Sequence, residues 1–191
     1  MNIVMEEKKY SVSSYGNAVA RAYFLYPRFP AAQRISDFYA EMAEELHTFF
    51  EKAAGAYLAE YENMARGERK NFEPLCIRLF SSAAFAEEEI ASIVQEYAVS
   101  SGKELLFYRK FCQVWDTERE LLLPPRRFLS RRDAKKAEKN EFYINGEHAV
   151  IVENLFPQAQ TEAGRRIRLC DYTRETKREI ENISSRTGEQ S

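Results

Sequence analysis

The stretch "EEIASIVQEYAVSSGKELLFYRKFCQVWD" (residues 88–116) decides the fold, because two strand-like runs flank one short turn. Before the loop "SSGK", one face would carry Ile93, Gln95, Tyr97 and Val99 and the other Val94, Glu96 and Ala98, and the loop carries a turn glycine, Gly102. The return run places on one face Leu105, Phe107, Arg109, Phe111, Gln113 and Trp115. The pattern predicts a long antiparallel hairpin.

The residues before this hairpin predict a strand, a long helix and a second strand. "NAVARAYFLYPRFP" (residues 17–30) is apolar on both sides and ends at prolines, which is typical of a covered strand. Apolar residues then recur at steps of three and four, which favours an amphipathic helix over residues 31–66, stopped by Gly67. The apolar stripe is Ile35, Phe38, Met42, Leu46, Phe49, Ala53, Tyr57, Tyr61 and Met64. "FEPLCIRLFSS" (residues 72–82) predicts the second strand.

After the long hairpin, two turn signals divide the chain. Pro124 and Pro125 end the strand, and a short basic helix is expected from about Arg126 to Lys139. The Asn145–Gly146 pair between β-rich runs favours a two-residue type I′ hairpin, because both turn positions need a positive φ.

The end of the chain completes the predicted order. "GRRIRLCDY" (residues 164–172) predicts a last strand, and we expect the polar tail from Thr173 to begin as a helix and then fray. One long helix among antiparallel neighbours predicts an α+β fold, an antiparallel sheet with the helix packed on a face. We predict one domain over residues 1–172, followed by a polar tail over residues 173–191.

Composition limits the classes of function. The 191 residues are 45% hydrophobic, and 28 Lys and Arg face 30 Asp and Glu, which argues against a dedicated nucleic-acid binder. The chain begins without an apolar leader and has no apolar run of about 20 residues, so we predict no membrane span and, as written, a cytoplasmic protein. Three widely spaced Cys without a CxxC are interpreted as free thiols.

Residues that carry catalysis or bind metal are sparse. His47 and His148 have no ligand spacing to each other or to Cys76, Cys112 or Cys170, so we predict no metal site. GxSxG, GxGxxG and P-loop patterns do not occur, so we predict no cofactor and name no catalytic residue. A composite site from distant strands, or a Cys acting with His148, stays open.

Asp116, Glu118 and Glu120 form an acidic cluster at the end of the return strand. Paired carboxylates serve acid–base catalysis in many enzymes. The simpler interpretation is a turn or bulge, because an Asp side chain caps local backbone well. We favour the turn.

Two sets of residues are candidates for binding. The hairpin brings together Tyr97, Phe107, Arg109, Phe111 and Trp115, and aromatic residues and Arg are favoured anchors at interfaces. These residues form a binding surface if the long helix covers the opposite sheet face, and they form core if it covers this one.

The basic segment is the second candidate. A continuous helix would align Arg127, Arg131, Lys135 and Lys139. That stripe suits phosphates or an acidic partner. The alternative is a solvated helix face whose Phe128 and Leu129 dock on the sheet.

Three runs carry a resemblance to a known family: "YRKFCQVWDTERELLLPPRRFL" (residues 108–129), "EFYINGEHAVIVENLFP" (residues 141–157) and residues 164–172. Their order resembles the domain of unknown function found in RsiV-type anti-sigma factors and in some peptidoglycan deacetylases. The sequence departs from that pattern at Glu118, where the family has a turn Gly, and lacks the family's glycine-rich stretch before the return strand.

The resemblance implies an α+β fold and a non-enzymatic binding module for a protein or cell-wall-derived glycan ligand. The family is usually extracytoplasmic, unlike the compartment predicted above. Two alternatives stay open: a hydrolase or transferase whose site shows no linear motif, and a weak nucleic-acid binder through residues 126–139.

Overall fold

A computed structural model describes residues 2–87, 89–155 and 172–180. The fold class is α+β, as predicted, and the strands are β1 Val4–Ser14, β2 Asn17–Arg28, β3 Leu75–Glu87, β4 Ile90–Ser101, β5 Glu104–Asp116, β6 Leu121–Leu122, β7 Glu141–Asn145, β8 His148–Asn154 and β9 Thr173–Glu179. The helices are α1 Gln33–Asn63 and α2 Arg131–Ala137, with short 3-10 helices at Glu68–Asn71 and Pro125–Arg127. One sheet has the order β1-β2-β3-β4-β5-β6, and the other has β7-β8-β9.

Strand β1 was not expected from the sequence. It pairs antiparallel with β2, and Ser14 lies opposite Asn17, so only Tyr15 and Gly16 form the turn. Both turn residues have positive φ, +49° for Tyr15 and +80° for Gly16. This is the dihedral signature of a type I′ turn, which matches the twist of a two-strand ribbon.

The large sheet is mostly antiparallel, as predicted, but it is mixed because one pair of neighbouring strands is parallel. Strands β2 and β3 pair in parallel, with Arg21 opposite Cys76. Parallel neighbours need a long connection, and α1 provides it. The amino-terminal ends of β2 and β3 therefore lie at the same edge of the sheet.

Helix α1 lies against β2 and β1, but the buried residues are not the predicted stripe. Its buried residues are Ile35, Ser36, Tyr39, Ala43, Phe50, Ala54 and Tyr61. Phe38 and Phe49, which we expected in the stripe, stay 37% and 48% exposed. The packing face is thus shifted by one residue along most of the helix.

The described chain divides into two compact units. The helix unit comprises Asn2–Ser81 and Gln95–Tyr108, and the C-terminal unit comprises Ser82–Val94 and the described residues from Arg109 onward. Strands β3, β4 and β5 contribute residues to both units. The single domain over residues 1–172 stays a prediction.

The core of the C-terminal unit contains the buried side chains of Val114, Leu123, Phe128, Leu129, Ala134, Ala137, Phe142, Ile144, Ala149 and Ile151. The docking of Phe128 and Leu129 is thereby confirmed. The predicted helix over residues 126–139 is too long. A 3-10 turn occupies Pro125–Arg127, and α2 begins at Arg131 after its N-cap residue, Ser130. The Ser130 hydroxyl accepts the Asp133 N–H at 3.2 Å, as an N-cap does.

Two predictions for the second sheet need correction. Asn145 pairs with His148, so the turn residues are Gly146 and Glu147, and of these only Gly146 has positive φ. That pattern fits a type II′ turn rather than type I′. The helix expected after Thr173 is strand β9, because β8 offers it a free edge and its Thr173 and Thr176 suit a strand. The strand predicted over residues 164–172 lies outside the described residues, except for Tyr172.

Side chains of the second sheet bond to the backbone of β5. The Asn154 side chain accepts the Lys110 N–H at 2.8 Å and donates to the Lys110 carbonyl at 3.0 Å, so it imitates a neighbouring strand. Glu141 accepts the Cys112 N–H at 3.0 Å. These bonds occupy backbone groups that an edge strand would otherwise leave open.

Candidate functional site

A cavity of about 810 Å³ lies in the helix unit, where four segments meet. The segments are the β1–β2 turn, the first residues of β2, the end of α1 and the connection that leads into β3. Its wall includes Tyr15, Asn17, Ala18, Tyr61, Phe72 and Pro74. Cavities of this volume are in the range of small-molecule sites.

Four cationic side chains line the same cavity: Arg21, Arg66, Arg69 and Lys70. Among the residues that the structure describes, no acidic one lines the cavity. Among residues 2–87, 89–155 and 172–180, Arg21, Arg66 and Lys70 form no ion pair. Cations that cluster in a concave wall produce a positive potential there.

Arg69 has a different position from the other three cations. Its Nε donates to the Tyr61 carbonyl at 3.2 Å and its Nη2 donates to the Glu62 carbonyl at 3.0 Å. These carbonyls belong to the last turn of α1, where orphan acceptors create a partial negative charge. Arg69 offsets that charge, which leaves Arg21, Arg66 and Lys70 to face a ligand.

The aromatic wall is ordered by contacts with Arg69. The Arg69 guanidinium lies 4.2 Å from the Tyr15 ring centroid and 5.5 Å from that of Tyr61, within the range of cation–π contacts. Phe72 contacts Tyr61 edge-on at 4.8 Å between centroids. The Tyr61 hydroxyl accepts a hydrogen bond from Asn17 Nδ2 at 2.9 Å, which fixes the buried ring.

The described lining residues carry positive charge and no negative charge. Among them are no carboxylate, imidazole, thiol or aliphatic hydroxyl, and the side chains of a type that can act as a base or nucleophile are Lys70, Tyr15 and Tyr61. The arrangement therefore suits recognition of an anion.

The predicted aromatic face is divided between the two units. In the helix unit, Tyr97 and Phe107 lie 5.7 Å apart between ring centroids, and burial raises the pKa of Tyr97 to about 12. In the C-terminal unit, the Arg109 guanidinium lies 4.8 Å from the Phe111 centroid and 3.4 Å from Glu141 Oε1. Trp115 is only 5% exposed. A binding role for these residues stays a prediction.

The predicted cationic stripe is not a single helix face. Arg127 is half-buried in the 3-10 turn, whereas Arg131 is exposed at the first residue of α2. The start of α2 at Arg131 removes the i, i+4 relation to Arg127. Lys136, the neighbour of Lys135 in α2, pairs with Glu153 at 2.8 Å and lowers the pKa of that carboxyl. Binding by Arg127 and Arg131 stays a prediction.

The acidic cluster after β5 forms a turn, as favoured from the sequence. Asp116 is buried and its Oδ1 accepts the Arg119 N–H at 2.9 Å. Glu120 has a positive φ of +53°, which continues the tight reversal. Asp116 is therefore engaged in backbone capping.

The described histidines and cysteines are not among the residues that line the cavity, and Cys170 lies outside the described residues. His47 stacks on Tyr10 at 4.0 Å between ring centroids, and its ring nitrogens lie 3.6 Å from Glu44 and 3.7 Å from Glu51. Cys76 and Cys112 are free and half-buried. Within the part of the chain that the structure describes, no group of three His, Cys, Asp or Glu side chains could hold a metal ion.

Comparisons with known proteins identify fold neighbours only. No family model matches the sequence, and no curated protein matches it. The structure is similar to that of a DUF3298 family member from Bacteroides fragilis, with a TM-score of 0.57 and 10% identity over 93% of this chain and 90% of that one. It is also similar to a DUF3298 family protein from Pseudomonas aeruginosa, with a TM-score of 0.52 and 10% identity over 94% and 89%.

These neighbours agree with the predicted likeness to a domain of unknown function. At 10% identity they show the fold alone, and the link to RsiV-type anti-sigma factors stays a prediction. In the described part of the chain, no helix is both long enough and apolar enough to cross a membrane.

The cavity was not predicted, because its residues come from segments that are far apart in the chain. "KKYSVSSYGNAVARAYF" (residues 8–24) nevertheless alternates on both sides of Tyr15–Gly16, which signals a hairpin. "ARGERKNF" (residues 65–72) is a basic connection that precedes a strand. Only the parallel pairing of β2 and β3 brings the two stretches together.

Proposed function

We propose that this chain is a non-enzymatic binding module, for a ligand of protein or cell-wall origin, and that the ligand presents negative charge to the cavity of the helix unit. The observation that carries the proposal is the set of cations without ion pairs in the cavity wall, Arg21, Arg66 and Lys70. Carboxylates and phosphates are the groups that guanidinium and ammonium donors bind best.

Two further features support binding at this place. Arg69 counters the negative end of α1, so the helix terminus does not repel an anion. Among the described lining residues there is no carboxylate, imidazole, thiol or aliphatic hydroxyl to act as acid, base or nucleophile. A ligand that enters the cavity would contact hydrogen-bond donors and aromatic rings, and it would be bound without a chemical reaction.

The test is isothermal titration calorimetry of the full chain with citrate and with inorganic pyrophosphate. We expect saturable binding that weakens as sodium chloride is raised, because the attraction is screened. The triple variant Arg21→Gln, Arg66→Gln, Lys70→Gln should lose the binding. Each charged hydrogen bond contributes about 1.5 kcal/mol or more, which is roughly tenfold in affinity.

The matched control carries the same change of charge in the C-terminal unit: Arg126→Gln, Arg132→Gln, Lys135→Gln. These three side chains are exposed and form no ion pair among the described residues. The control should bind like the parent chain. Loss of affinity in the control alone would favour the basic segment over residues 126–139, and absence of saturable binding in the parent chain would contradict the proposal.

A further inference from the structure

Tyr15 has an unusual backbone conformation for its residue type. Its φ of +49° lies in the left-handed region, where a tyrosine has a Cβ clash that costs about 1–2 kcal/mol. The first central position of a type I′ turn is usually filled by Asn, Asp or Gly. A bulky residue in such a conformation is often explained by a function of its side chain.

The side chain of Tyr15 lies in the cavity wall and remains accessible. Its ring is in contact with the Arg69 guanidinium at 4.2 Å, yet the residue keeps 68% of its surface exposed. Tyr61 lies 6.4 Å away between ring centroids, inclined by 44°. The ring of Tyr15 is thus supported by its neighbours and still open to a ligand in the cavity.

Three cations without ion pairs line the same cavity as this open ring. Anion recognition alone would not need an aromatic residue at a turn position that disfavours it. A flat ring on the ligand would gain from stacking on Tyr15 while its charged group contacts Arg21, Arg66 or Lys70.

We infer that the cavity takes a ligand in which a flat ring is joined directly to an oxyanion, with the ring on Tyr15 and the oxyanion on the cations. This inference rests on the proposed function and names the ligand class of the same site. Arg69 is a positioning residue, because its donors are engaged by the end of α1 while its guanidinium supports the Tyr15 ring.

The test compares phenyl phosphate with methyl phosphate, which differ in the ring and share the anion, by isothermal titration calorimetry. We expect the parent chain to bind phenyl phosphate about tenfold more tightly. Benzoate and acetate form a second pair, and a ring preference in that pair would indicate a carboxylate ligand. A preference in either pair supports the inference.

Two variants separate the ring from the fold. Tyr15→Asn places the preferred residue in the turn, so thermal stability should rise while the ring preference disappears and methyl phosphate affinity changes less than twofold. Tyr15→Phe should keep the preference. Equal affinity for both members of both pairs, or a preference that survives Tyr15→Asn, would overturn the inference alone. Absence of binding by all four probes while citrate or pyrophosphate binds would also overturn the inference alone, and absence of binding by all six compounds would overturn the proposed function as well.

Discussion

Gly102 occupies a backbone position where a side chain would be strained. It begins the β4–β5 turn with a φ of +55°, and its N–H donates to the Pro74 carbonyl at 3.1 Å. A Cβ there would lie 2.7 Å from the Cβ of Glu73. The turn glycine expected from "SSGK" is therefore required for its φ and also for its close approach to residues 73–74.

Replacing this glycine should be costly. Gly102→Ala is expected to lower the free energy of unfolding by about 2 kcal/mol, because the left-handed conformation and the contact with Glu73 both oppose a methyl group. Urea denaturation followed by circular dichroism measures the change. The double variant Gly102→Ala, Glu73→Ala should recover only the part that is due to contact with the Glu73 Cγ and Cδ, because the Cβ of residue 73 remains.

Gly67 provides the matched control for that substitution. Its φ is −72° and a Cβ there would meet nothing within 4 Å. Gly67→Ala should leave stability unchanged or raise it by about 0.4–1 kcal/mol, because the unfolded chain loses freedom. Equal effects of the two alanines would argue against the dihedral explanation.

At the scale of elements, β5 depends on side chains to complete its edge. Asn154→Ala would leave the Lys110 N–H and carbonyl without these two bonds. We expect a loss of about 2 kcal/mol in the free energy of unfolding, since each bond contributes about 1 kcal/mol. Light scattering at 37 °C should also increase, because open strand edges pair with other chains.

Asn140→Ala is the control for this element. The Asn140 side chain donates one bond, to the Lys136 carbonyl at 2.9 Å, at the end of α2 and not at a strand edge. It should cost about 1 kcal/mol and leave light scattering unchanged. An increase in scattering in both variants would mean that general destabilisation, and not the edge, drives association.

The sequence predicted α1 as an element but not its packing face. The stripe with Phe38 and Phe49 is apolar, and so is the neighbouring stripe with Tyr39 and Phe50. A period of 3.6 residues accommodates both stripes, so periodicity alone cannot choose between them. The choice depends on the fit of Tyr39 and Phe50 against the sheet, which is a tertiary effect.

The same limit applies to β9 and to the cavity. Strand β9 is polar and lies at the edge of its sheet, so its conformation depends on pairing with β8 more than on the strand propensity of its own residues. The cavity is lined by Tyr15, Tyr61 and Lys70, which come from separate segments of the sequence. A local sequence pattern does not predict contacts between separate segments. The β4–β5 and β7–β8 hairpins and helix α1 are local and were predicted, whereas the β1–β2 hairpin, strand β9 and the assembled surfaces were not.

At the scale of the whole molecule, buried tyrosines make stability sensitive to alkaline pH. Burial is the main cause that raises the pKa of Tyr97, Tyr26 and Tyr143 to about 12, and Glu6 and Glu175 add to it at Tyr26 and Tyr143. The unfolded chain binds fewer protons than the folded chain between pH 10 and 12. The stabilisation is therefore complete below about pH 10 and is lost as pH rises through about 12.

Urea midpoints measured at pH 8, 10 and 11.5 test this prediction. We expect the midpoint to fall between pH 10 and 11.5 and to fall less in Tyr97→Phe, because phenylalanine has no proton to lose. Tyr15→Phe is the control, since Tyr15 is exposed and should leave the slope as in the parent chain. An identical slope in Tyr97→Phe would exclude burial of this phenol as a cause.

The bonds from Asn154 and Glu141 to β5 also have a consequence for synthesis of the chain. Strand β5 emerges from a ribosome about 40 residues before Asn154 does. Because the ribosome adds about 5–20 residues per second, the outer backbone groups of β5 remain without these partners for several seconds. During that interval the exposed edge of β5 can pair with nascent chains on neighbouring ribosomes of the same messenger RNA. A chaperone that covers this edge would protect the chain most at this stage of synthesis.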